Sequence, residues 1–178
     1  MSALSFTNTE NEHHNFWTKG WHENAPLRWT IIFSAALLIA NVVGLMIDPR
    51  TLVGEPIWLK PTKFAVSSVF YAGSLMWILA MIEDRPRMVK FISWVTAVAM
   101  IVELALISLQ AFRGVRSHFN FATPFDGAVF IIMGTAILLL WVVSVIAFIL
   151  LVRQPFANRP WGILLKWALL LTVIGSGL

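Results

Sequence analysis

Five long apolar blocks, each closed by a short polar turn, constrain this chain more than any other feature. They occupy about residues 29–47, 61–82, 89–112, 125–152 and 161–178. A helix needs ~20 mostly apolar residues to cross ~30 Å of hydrocarbon, and the blocks match that length. Inside a bilayer every backbone N–H and C=O must find a partner within the protein, so apolar blocks without period-two alternation form helices. The predicted fold is all-α: a polytopic membrane helix bundle of about five transmembrane helices.

The punctuation between the blocks agrees. Asp48-Pro49-Arg50 stops the first, and Pro61 sits in the first turn of the second, where its missing N–H costs nothing. Glu83 to Arg87 makes a charged turn, Gly114 closes the third block, and Arg153 to Pro160 separates the fourth from the fifth. The fourth block is long enough to predict a tilted helix. The fifth runs to Gly-Ser-Gly-Leu with no polar tail, which we read as the N-terminal part of a longer chain.

Residues 1–28 form a polar segment. Phe16, Trp17 and Trp21 fall at helical spacing near Lys19 and Arg28, the pattern of a short helix lying at an interface. His13, His14 and His22 match no familiar ligand spacing and read as a solvated tail, so no metal site is expected.

Composition narrows the function. Apolar residues make up 58% and charged ones 12%, against about 45–50% and roughly 25% in soluble domains. The net charge of +4 is spread over short loops, where it orients helices against a membrane and does not form a nucleic-acid patch. The absence of cysteine excludes disulfides, thiolate metal sites and thiol nucleophiles. No block contains a histidine, which argues against haem held by two histidines inside the bilayer. No cleavable signal pattern is present at the start, and no phosphate-binding loop, nucleophile elbow or zinc-protease motif occurs.

Orientation follows from loop lysines and arginines. The N-terminal side carries seven (Lys19, Arg28, Arg85, Arg87, Lys90, Arg153, Arg159), the opposite side five (Arg50, Lys60, Lys63, Arg113, Arg116). The rule that positive loops stay inside places the N-terminus in the cytoplasm. Five cations on the far side then ask for a reason.

That reason lies between Glu103 and Asp126. Glu103 interrupts an apolar block about ten residues before Arg113, roughly 15 Å along a helix. A charge at mid-membrane costs ~2.5–3.5 kcal/mol on insertion scales and demands a partner or water. Ser34, Asn41 and Asp48 share one face of the first block; Lys63, Ser67, Tyr71 and Ser74 share one of the second; Glu103 and Gln110 share one of the third. These stripes predict one polar cavity opening to the non-cytoplasmic side. In it Lys63 is the expected cation for Glu103, and Glu103, His118 and Asp126 are the acid–base candidates. Lys60, Lys63, Tyr71, Gln110, Arg113, Arg116 and Asn120 are the candidate ligand contacts, the cations suiting a phosphate or carboxylate.

The segments K-P-T-K-F (Lys60–Phe64) and Q-A-F-R-G-V-R-S-H-F-N (Gln110–Asn120), followed by Thr123 and Asp126, resemble a pattern found in uncharacterised bacterial multi-pass inner-membrane proteins. The resemblance implies that membrane and a longer chain, and carries no activity. The expectation is a cavity that binds an anionic or lipid-like, amphiphilic molecule or relays an ion, as a transporter or a membrane enzyme. The alternative is a non-catalytic helical scaffold in a homo-oligomer or larger membrane complex. The sequence names no cofactor.

Overall fold

The computed structural model of the chain describes residues 18, 20–82, 84–154 and 159–177. Phe16 and Trp17 of the expected interfacial helix, with His13 and His14, lie outside the described residues. Trp21 is exposed on a helical turn ending at Glu23.

The bundle consists of α1 (Ala25–Ile47), α2 (Leu59–Ala80), α3 (Pro86–Phe112), α4 (Pro124–Arg153) and α5 (Arg159–Gly177). A small hairpin of β1 (Thr51–Leu52) and β2 (Glu55–Pro56) joins α1 to α2. Its two-residue turn has Val53 and Gly54 both at positive φ, the form that follows strand twist. Four helices, α1 to α4, are long and apolar enough to cross a membrane, while the apolar part of α5 spans only Gly162–Gly175. The architecture is that of an all-α, multi-pass membrane bundle. Among the described residues four spans meet the length requirement, where the sequence predicts about five.

Each end has a local cause. Asn24 caps α1 by accepting from the Leu27 N–H at 3.3 Å, and its amide donates to Ser93 Oγ of α3 at 2.8 Å. Prolines stand in the first turns of α1, α3 and α4. At the end of α3, Gly114 adopts φ +72°, so that Gly114 N–H reaches Ala111 O and Val115 N–H reaches Gln110 O. That pair of bonds is the Schellman stop, which satisfies the last carbonyls and turns the chain back over the bundle.

α1 packs against α2 and α3, α3 against α2 and α4, and α4 against α5. The main apolar core lies towards the N-terminal side, where Leu27, Met76, Leu79, Ile92, Ala147 and Leu151 are all essentially inaccessible. Towards the loops 48–58 and 113–123 the core thins to Ile107, Val129 and Met133, with Phe64 and Leu106 beside them. Polar groups occupy the space this leaves. The outward faces carry exposed Ile39, Met46, Phe70, Trp94, Ile131 and Leu138, compatible with contact to a lipid bilayer.

Candidate functional site

Glu103 is 4% exposed, and neither of its oxygens accepts a hydrogen bond from a described residue. It lines a cavity of ≈ 210 Å³ between α2, α3 and α4, together with Phe64, Ser67, Tyr71, Trp141 and Ser144. Tyr71 and Ser144 share a 2.7 Å hydrogen bond that ties α2 to α4 across this space. The Trp141 indole N–H donates to Val173 O of α5 and fixes that wall.

The group facing Glu103 comes from a loop. His118 Nε2 approaches Glu103 Oε1 at 3.5 Å, longer than a well-formed hydrogen bond. On its other edge, His118 Nδ1 lies 2.9 Å from Lys60 Nζ and 3.0 Å from Ser117 Oγ. A charged lysine only donates, so Nδ1 accepts and the ring proton sits on Nε2, facing the carboxylate. The ring stands between Phe64 and Phe130, with centroids 6.3 and 6.4 Å away. The next residue, Phe119, is held at φ +53°, a strained conformation for a bulky side chain.

His118, Lys60 and Arg116 also line a second cavity of ≈ 480 Å³ under the hairpin, with Glu55 among its walls. Phe64 borders both cavities. Lys60, His118 and Glu103 thus run in a line from an outer vestibule to an inner pocket.

The remaining candidates go elsewhere. Asp126 Oδ1 accepts from Gln110 Nε2 at 3.0 Å and from Arg113 Nη1, while its Oδ2 accepts from Thr123 Oγ1 at 2.7 Å. Thr123 in turn accepts the Asp126 N–H, a capping arrangement at the start of α4. Arg113 further donates to Gln110 Oε1 and lies 4.8 Å from the Phe125 ring. Asn120 braces its own loop, donating to Arg116 O and accepting from Ala122 N–H. Two corrections follow. Lys63 is exposed and does not serve as the partner of Glu103; Lys60, one turn earlier, stands behind His118 in that place. The polar residues do not share one cavity either: Gln110 bonds Asp126 of α4, while Glu103, about two turns earlier on α3, lines the pocket between α2, α3 and α4.

A third polar cluster was not foreseen. Asp48 accepts from the Arg50 guanidinium at 2.7 Å and from the Trp58 indole at 2.8 Å, and Arg50 reaches Phe112 O at the end of α3. The Arg50 bonds first, then the Trp58 N–H, hold the Asp48 carboxyl well below the usual carboxylate range. Ser144 and Trp141 were also missed: lone residues in a uniformly apolar block give no pattern to read. No family model, curated protein or solved structure matches the chain.

Proposed function

We propose that the chain is a multi-pass membrane protein that relays protons between an outer vestibule and a buried carboxylate, in the manner of a transporter. The observation that carries the reading is His118, whose two ring nitrogens face Lys60 and Glu103. As Lys60 gives a proton to Nδ1, the Nε2–H bond breaks and an O–H bond forms on Glu103. Lysine and glutamate both become neutral, which suits a site of low dielectric. Lys60 then regains a proton from hydronium in the vestibule, Glu103 releases its proton through the inner pocket towards the other side, and a flip of the His118 ring returns its proton to the nitrogen facing Glu103. Gln110, Arg113 and Asp126 stay outside this chain and hold α3 to α4.

The seven-to-five distribution of loop cations supports a cytoplasmic N-terminus, so that the vestibule opens to the other side. The resemblance noted above supports a bacterial inner membrane. A carboxylate in the inner pocket disfavours an anion there; anionic groups fit the vestibule beside Lys60 and Arg116.

Proton flux tests the relay. In reconstituted vesicles with a trapped pH dye, the native chain dissipates an imposed pH gradient, while Glu103→Gln falls to the rate of protein-free vesicles. Equal rates for both would refute the relay. A change in stability alone would favour the scaffold reading.

A further inference from the structure

The inner pocket has a chemical character that the relay does not use. Its walls are mostly apolar, two of them aromatic (Phe64 and Trp141), and its one acidic group is a carboxylate that accepts no hydrogen bond from a described residue, with only His118 Nε2 near Oε1 at 3.5 Å. The hydroxyls of Tyr71 and Ser144 are already bonded to each other, which leaves few oxygens for an inorganic cation. Hard cations such as calcium take six or more oxygen ligands, and this pocket does not supply that shell. At ≈ 210 Å³ it is smaller than the ~300–1,000 Å³ of drug-sized sites. Of the lining residues, Ser67, Ile137 and Trp141 are exposed, and they face outward between α2 and α4. The mouth therefore opens towards the bilayer, away from the vestibule.

We infer that this pocket binds a small apolar amine in its protonated form, which enters from the bilayer between α2 and α4. The ammonium replaces the missing hydrogen-bond donors of Glu103, and the apolar body packs against Phe64 and Trp141, whose ring faces attract a cation. The inference rests on the proposed role of Glu103, because amine and proton compete for one carboxylate. The titratable groups around that carboxylate are Lys60 and Tyr71 of α2 and His118 of the loop.

Equilibrium dialysis of the full chain in detergent tests it, with phenethylamine as the probe. Binding is expected to be saturable, and phenylacetate, of similar shape and opposite charge, is not expected to bind. Glu103→Gln should weaken phenethylamine by roughly ten- to a hundredfold, the range of a hydrogen bond between charged partners. Ser67→Trp fills the mouth from an exposed position and keeps every charge; it should abolish binding while leaving the unfolding midpoint in detergent unchanged. Undiminished binding to Glu103→Gln, or equal binding of phenylacetate, overturns the amine assignment. Unchanged binding to Ser67→Trp overturns the lateral entrance. If phenethylamine fails to bind but the proton flux still depends on Glu103, this inference falls and the relay stands.

Discussion

Gly44 shows how much one absent side chain decides. A Cβ there would lie 2.6 Å from Trp58 Cδ2, inside the indole that packs across α1. The indole must stay because its N–H reaches Asp48, and Asp48 holds Arg50 against the end of α3. Gly44→Ala is therefore expected to destabilise the protein by about 1–3 kcal/mol, the usual cost of overpacking. Thermal unfolding in detergent checks this, and an unchanged midpoint would mean that Trp58 moves aside freely. Glu103 is the opposite case, a side chain with too few neighbours. Its turning away from lipid was legible in the sequence, since a charge amid apolar residues must face protein or water. Its partner was not. Lys60 and Lys63 are three apart on one helix, and only the rotation of α2 decides which of them points at the loop.

At the scale of elements, the segment 113–123 matters most. Gly114 stops α3, Thr123 starts α4, and between them the chain folds inward far enough to bury Ser117 and bring His118 to Glu103. The boundaries were readable because glycine and Thr-Pro are local signals. The inward path was not, because a loop histidine looks the same in sequence whether it faces water or the bundle. Asp126 anchors the far end of this segment through its bonds to Thr123, Gln110 and Arg113. Asp126→Ala removes the acceptor of the Thr123 hydroxyl and leaves Gln110 and Arg113 without their carboxylate, while the backbone N–H bond to Thr123 stays. We expect a loss of about 1–3 kcal/mol from the cap and the charged hydrogen bonds together. Urea unfolding should register it, and a variant as stable as the native chain would show that the clamp is dispensable. The third polar element, the hairpin of β1 and β2, covers the vestibule that Lys60 and Arg116 line.

Across the whole molecule, the apolar core and the polar groups sit at opposite ends of one bundle. The main apolar cluster draws on all of α1 to α5 near the N-terminal side, while the loop side holds a smaller one and carries buried polar groups. Orientation is testable because the chain has no cysteine of its own. Thr51→Cys in the hairpin should react with a membrane-impermeant maleimide on intact cells. Arg87→Cys, on the opposite side, should react only after permeabilisation. The reverse pattern would invert the assignment and turn the vestibule towards the cytoplasm.

The sequence by itself determined that the chain is a bundle of long apolar helices, where most of them stop, and that Glu103 must face protein or water and not lipid. These properties are local: they depend on the length of an apolar run, on proline and glycine, and on the cost of one charge in hydrocarbon. Only the tertiary structure decided that Glu103 meets His118, that Gln110 belongs with Asp126, and that Asp48 is clamped by Arg50 and Trp58. Each pairing depends on how far a helix is rotated about its axis and on the path of a loop. Both are fixed by the packing of many apolar side chains at once, and no short stretch of sequence encodes either. The expected single polar cavity became an outer vestibule, an inner pocket and the histidine between them.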